Sequence, residues 1–183
     1  MIEQMENPFK FGSVVDGEYF AGRRDELPHV KQTLSSRNHL VLISPRHYGK
    51  KSLVQKAVNE TSRTAVFVNV QAAACASDLA RLLLNRFLEV HPWERIKDGL
   101  KRFRASPTFT YNPGTDKMEA SFRSSEDGSL LLEDVLNLMN EKSDPGNRLI
   151  VILEEFQDIA DYAPGTDKLL RAVMQMHENV NYR

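Results

Sequence analysis

Two hydrophobic periods alternate along this chain, and they predict the order of its elements. Leu27, Val30 and Leu34 recur at helical spacing, which predicts a first helix over about 24–35. His39-Leu40-Val41-Leu42-Ile43 follows as a short apolar run with polar neighbours, the pattern of a strand covered on both faces. Leu53, Val54, Ala57 and Val58 then resume the helical period. A second buried strand is expected over 65–70, and helices over 78–90 and 93–104. Further on come a helix over 130–141, with Leu131, Val135 and Leu138 on one face, the most apolar strand at 149–153, and a last helix over about 167–177.

Between 107 and 122 the period changes. Thr108-Phe109-Thr110-Tyr111 and Met118-Glu119-Ala120-Ser121-Phe122 alternate polar and apolar around the turn residues Asn112-Pro113-Gly114-Thr115-Asp116. This predicts a β-hairpin inserted at 105–125. Strands alternating with helices imply a parallel sheet, so the expected fold is a three-layer α/β domain spanning 1–183 after an irregular lead-in at 7–12.

Composition narrows the functional classes. The chain has 183 residues, 41% apolar and 27% charged, enough for a full core and typical of a folded soluble protein. A net charge of -1 supplies no global field toward nucleic acid or acidic membranes, so neither is an expected partner. The single cysteine, Cys75, excludes an internal disulfide and suits a reducing interior. Its small neighbours make it a packing or loop residue. Residues 1–10 hold no signal-peptide core, and no segment reaches the roughly 18–20 apolar residues of a membrane span; the expected location is the cytoplasm.

The segment after the first apolar run carries the strongest chemistry. A phosphate-binding loop gathers backbone N–H groups, a helix N-terminus and one lysine on the same anion, usually as G-x-x-x-x-G-K-[ST] between a strand and a helix. Here Ser44 occupies the first glycine position, and Gly49 and Lys50 supply the second glycine and the lysine. Lys51 stands where the Mg²⁺-binding hydroxyl belongs, and Ser52 comes one residue late. An ammonium group cannot ligate Mg²⁺ and opposes its charge. Either the loop shifts so that Ser52 reaches the metal, or Lys51 turns away or contacts phosphate and metal-dependent hydrolysis fails while nucleotide binding persists. The second arrangement is favoured, because consecutive helical residues point about 100° apart. The alternative to any phosphate site is a surface loop with solvated basic residues.

Carboxylates at the end of the 149–153 strand belong where open α/β sheets bind ligands. Glu154 is placed to hold Mg²⁺ through water and Glu155 to orient or deprotonate an attacking water.

Together these residues resemble the archaeal-type ATPases of the STAND and AAA-like P-loop group. In that family the loop commonly reads S-P-R-R-Y-G-K-T-S-L; here it is Ser44-Pro45-Arg46-His47-Tyr48-Gly49-Lys50-Lys51-Ser52-Leu53. The family's acidic strand ends D-E-F-Q, matched by Glu154-Glu155-Phe156-Gln157, and its F-x-G-R-x-x-E-L box is matched by the segment from Phe20 through Gly22 and Arg23 to Glu26-Leu27. Asn7-Pro8-Phe9 and the insertion with Ser121-Phe122 are similar too. The resemblance implies an ATP-binding core with Gly22 and Arg23 by the adenine and Pro45, Arg46, Tyr48, Gly49, Lys50, Lys51, Ser52 and Leu53 along the nucleotide. Lys50 would hold the β- and γ-phosphates, with Glu154 near Mg²⁺ and Glu155 as the catalytic acid residue. Three departures qualify it. Lys51 replaces threonine, Glu154 replaces aspartate, and the chain stops at Val180-Asn181-Tyr182-Arg183, where a strand with a polar sensor residue should be starting. The chain therefore reads as the first part of a larger protein, or as a gene product cut short.

Other residues read more plainly. Arg46 is the better phosphate contact in the loop, being always charged; His47 reads as an exposed loop residue as readily as a contact. Trp93 with Pro92 packs a helix start, and Lys97, Lys101, Arg102 and Arg104 form a solvated helix face. The expected function is an ATP-binding module of a regulatory or signalling ATPase, with ATP or ADP as ligand and hydrolysis impaired by Lys51 and the missing sensor strand. The alternative is a pseudo-ATPase scaffold acting through protein partners or missing C-terminal domains.

Overall fold

β-Branched residues crowd the runs that become strands, because their branched side chains pack well on a pleated surface. A computed structural model describes residue 20 and residues 22–45, 48–114, 116–123 and 127–183. These fall into two compact units that divide between Ser62 and Arg63. The lead-in, with Asn7-Pro8-Phe9, lies outside the described residues, as do Ala21, Arg46, His47 and Thr115.

In the first unit, α1 (Glu26–Ser35) packs against α2 (Lys50–Thr61). The helical periods named above supply the contact: Val30 and Leu34 of α1 are buried, as are Leu53, Val54, Ala57 and Val58 of α2. Lys31 Nζ reaches Glu60 Oε2 at 2.7 Å and Lys56 Nζ reaches Glu60 Oε1 at 3.3 Å, so one carboxylate ties the two helices. The strand expected at 39–43 does not form. Residues 39–45 take no regular structure, and Val41 and Ile43 are 79% and 90% exposed. An apolar run becomes a strand only when a neighbour completes its hydrogen bonds, and none of the strand pairings among the described residues includes this run.

The second unit contains β1 (Ala65–Asn69), α3 (Ala76–Val90), α4 (Trp93–Leu100), β2 (Thr108–Asn112), β3 (Lys117–Ser121), α5 (Gly128–Lys142), β4 (Leu149–Glu154), α6 (Thr166–Met176) and β5 (Val180–Tyr182). Its main sheet has the order β1-β4-β5 and is parallel throughout, with Ala65 opposite Ile150, Asn69 opposite Glu154 and Val151 opposite Tyr182. A short strand, β5, thus stands at Val180–Tyr182, where the sensor strand was expected to be missing. Leu149, Val151 and Leu153 point into a core with Leu83, Leu84 and Phe87 of α3 and Leu132, Leu136 and Met139 of α5. Ile150 and Ile152, on the other face of β4, are buried as well. Burial on both faces is what a continuous apolar run provides, at roughly 1.5–3 kcal/mol for each fully buried aliphatic side chain. The unit is α/β and compatible with three layers.

α4 is shorter than its periodicity predicts. Gly99 lies so close to α5 that a Cβ there would fall 2.3 Å from Leu138 Cδ1. Beyond Leu100 the chain is drawn off its helical path: the Arg104 amide donates to Asp134 Oδ2 at 2.8 Å, and its guanidinium pairs with Glu133 and Asp134, both at 2.7 Å. Tertiary pairing here overrides local helix propensity.

The inserted hairpin forms, with β2 and β3 antiparallel from Thr108 opposite Ser121 to Asn112 opposite Lys117. Phe122 lies just past β3 and packs against the core. Among the described residues no helix is long and apolar enough to cross a membrane.

Candidate functional site

Glycine at position 49 has a local cause. Its φ of 68° is left-handed, a region most side chains enter only at a cost, and it stands at the N-cap of α2. No described side chain caps the helix, and the positive end of such a helix favours an anion at its first turn. Lys50 and Lys51 begin the helix and are both exposed, whereas Ser52 is only 8% exposed and Leu53 only 4%. Leu53 N–H closes the first helical bond on Gly49 O at 3.0 Å. Tyr48 and Pro45 are exposed before it.

The box and the loop, about 25 residues apart in sequence, meet here. Arg23 Nη2 donates to the backbone carbonyl of Tyr48, and Nη1 pairs with Glu26 Oε1 at 3.0 Å. A backbone hydrogen bond first, and then Arg23, hold the Glu26 carboxyl below its usual value. Arg23 takes a left-handed φ of 59° beside Gly22 at 77°. A non-glycine residue there costs on the order of 1 kcal/mol and marks a position fixed by its surroundings. Of the expected loop contacts, Arg46 lies outside the described residues.

In the second unit, Glu154 is the last residue of β4, with Asn69 at the end of β1 as its register neighbour. Glu155 follows with a φ of 53°, and its carboxylate Oε2 accepts from Gln157 Nε2 at 2.7 Å. Four non-glycine residues have positive φ among the described residues, and two of them, Arg23 and Glu155, are residues singled out for chemistry. Sequence reading passed over two residues at this strand end. Asn69 accepts from the Gln71 amide at 3.0 Å. Tyr162 OH donates to the Val70 and Ala73 carbonyls at 3.1 and 3.3 Å, joining the segment after β4 to the segment after β1. Burial, and then the charges of Cys75, Asp78 and Asp158, push its hydroxyl up to about 12. A cleft of about 430 Å³ opens beside it, lined by Phe156, Gln157, Tyr162, Gly165 and Asp167 among others. Its sequence signal was the turn Ala163-Pro164-Gly165 before a helix start.

No protein-family model, curated protein or solved structure matches the chain. The site's own donors decide which ligand it fits. For a phosphate the fit is good: an uncapped helix N-terminus, a glycine that lets the anion approach the backbone, and an exposed lysine at the first helical position. For a divalent cation it is poor. The residue at the hydroxyl position is an exposed lysine, Ser52 is buried in the inner side of α2, and the described residues contain no cluster of three or more His, Cys, Asp or Glu suited to a metal.

The basic run is a paired, solvated face. Lys97 pairs with Glu94, Lys101 with Asp98 at 2.8 Å, Arg102 with Glu141 at 3.0 Å and Arg104 with Asp134. Pro92 is the N-cap of α4, and Trp93 meets the Phe109 ring edge-on at 4.8 Å between centroids. Cys75 is exposed at the N-cap of α3.

Proposed function

We propose that the first unit holds the phosphates of ATP or ADP at the N-terminus of α2, as the nucleotide-binding part of a P-loop ATPase of the archaeal-type, STAND-like group. The observation that carries this reading is the left-handed Gly49 opening α2, followed at once by exposed Lys50 and latched through Arg23 to Tyr48. Backbone N–H groups and the helix dipole favour a negative group at that end, and Lys50 supplies a full charge to the same point. Arg23 holds the Tyr48 carbonyl, which turns the Gly49 N–H of the same trans peptide the opposite way.

Hydrolysis is a separate matter. Mg²⁺, where a P-loop binds it, bridges phosphate oxygens and neutralises developing charge. The residues of this chain at that position do not suit it, so no step is assigned to the metal. Glu154 and Glu155 remain the candidates for metal and water contacts by resemblance. The reading is therefore nucleotide binding with little turnover, in a protein that works through nucleotide-dependent contacts with partners. Exposed Lys51 beside buried Ser52 favours the pseudo-ATPase scaffold as the second reading.

Titration with a fluorescent ATP analogue, with and without Mg²⁺, tests it alongside phosphate release. Lys50→Ala is expected to weaken binding on the order of 10- to 100-fold, the loss of one hydrogen bond to a charged group. Lys51→Thr is expected to introduce Mg²⁺ dependence. Binding that ignores Lys50→Ala sinks the proposal.

A further inference from the structure

The inserted hairpin has two edges, and the structure treats them differently. Asn85 on α3 plugs the outer edge of β3: the Ala120 amide donates to Asn85 Oδ1 at 2.6 Å, and Asn85 Nδ2 donates to Ala120 O at 3.2 Å. Both backbone groups of Ala120 thus point away from β2, which makes Ala120 and its partner Phe109 a non-hydrogen-bonded pair. The N–H and C=O of Phe109 must point away from β3 in turn. By alternation the same holds for Tyr111, opposite Met118. These outward groups of Phe109 and Tyr111 meet no hydrogen-bonding partner among the described residues.

Within Thr108–Asn112, β2 carries neither a charge nor a proline at its open edge. The side chain of Tyr111 is 53% exposed on the face where Phe109 packs against Trp93. Pro107 and Pro113 flank the strand and limit how far a ladder can run, since neither has an N–H to offer.

We infer that β2 pairs edge to edge with β2 of a second copy of this chain, antiparallel about a two-fold axis at Thr110. The strand is self-complementary in that register. Phe109 of each copy meets Tyr111 of the other in a hydrogen-bonded pair, giving four N–H···O bonds. Thr110 meets Thr110 in a non-hydrogen-bonded pair, and Thr108 faces Asn112. The aromatic pairs continue the apolar face, covering Tyr111, while threonine and asparagine continue the polar one. No like charges are opposed. Such a contact is isologous and closes at two copies.

Sedimentation of the full chain tests the pairing, with dimer expected somewhere between about 1 µM and 1 mM. Tyr111→Pro removes an outward N–H that the hairpin does not use, and is expected to weaken the dimer at least about tenfold while circular dichroism stays unchanged. The register is tested in a Cys75→Ser background. Thr110→Cys should cross-link on oxidation, because directly opposed residues in such a pair lie about 4.5 Å apart, within disulfide range. Asn112→Cys, roughly 14 Å from its copy, should not. A chain that stays monomeric to about 1 mM, a dimer indifferent to Tyr111→Pro, or equal cross-linking at 110 and 112 overturns the inference. So does protection of the Phe109 and Tyr111 amides only when a different protein is added, which would give the edge to a foreign strand.

Discussion

Residues 40–43 and 149–153 are both short uninterrupted apolar runs, and they meet opposite fates. Leu149 to Leu153 are at most 8% exposed and form the central strand of a parallel sheet, whereas Val41 and Ile43 stand 79% and 90% exposed in irregular backbone. Composition does not separate them, since each is built from leucine, valine and isoleucine. Pairing does. β4 has a strand on either side, β1 and β5, with Ile150 N–H bonded to Thr64 O at 3.0 Å and Leu153 N–H to Arg183 O at 2.7 Å. An apolar run therefore marks a capacity for burial; a strand also needs partners for its amides.

Truncating each run is the most direct way to break this contrast. Ile150→Ala is expected to cost about 2–5 kcal/mol in urea unfolding, and Ile43→Ala less than about 0.5 kcal/mol. Equal costs would mean that the two runs are equally buried in solution. A smaller effect is expected at the bond that ties the far end of the paired sheet. Tyr162→Phe should cost about 1 kcal/mol near neutral pH. Because the folded-state value is raised to about 12, the folded protein keeps this proton between about pH 10 and 12 while the unfolded chain loses it. Its contribution is thus full below about pH 10 and declines as pH rises through that window. Unfolding midpoints of wild type should fall more steeply there than those of Tyr162→Phe; parallel curves would contradict the assignment.

The smallest effect concerns the first unit. Lys31, and then Lys56, hold the exposed Glu60 carboxyl below its ordinary 4.5. A lowered carboxyl stabilises above its ordinary value and loses that contribution as pH falls through it. The stability curves of wild type and Glu60→Gln should converge below about pH 4.5, with a difference at neutral pH near the limit of measurement, as for other exposed ion pairs. A gap that persists into acid would show that Glu60 acts through something other than charge.

Much of the candidate site was legible as spacing. Gly49 before Lys50 was legible as a helix entry from its place between an apolar run and a helical period, and glycine takes the left-handed φ there without side-chain cost. The contact between Arg23 and the Tyr48 carbonyl was not legible, since it joins positions that only the packing of α1 on α2 brings together. The burial of Ser52 beside exposed Lys51 likewise depends on which face of α2 turns inward. Nor does the residue type reveal the left-handed backbone of Glu155, which glutamate does not favour and the exit from β4 imposes.

By itself the sequence determined the helices α3 and α5, the hairpin with its alternating period, and the two long strands β1 and β4, because helical and strand periods are properties of neighbouring covalent positions. Tertiary structure alone decided that 39–43 takes no regular structure, that α4 stops at Leu100, where α5 claims Arg104, and that Asn85 closes one edge of the hairpin while no described residue bonds to the other. Each of these turns on a hydrogen-bonding or packing partner supplied from elsewhere in the chain, and no local period encodes who that partner is.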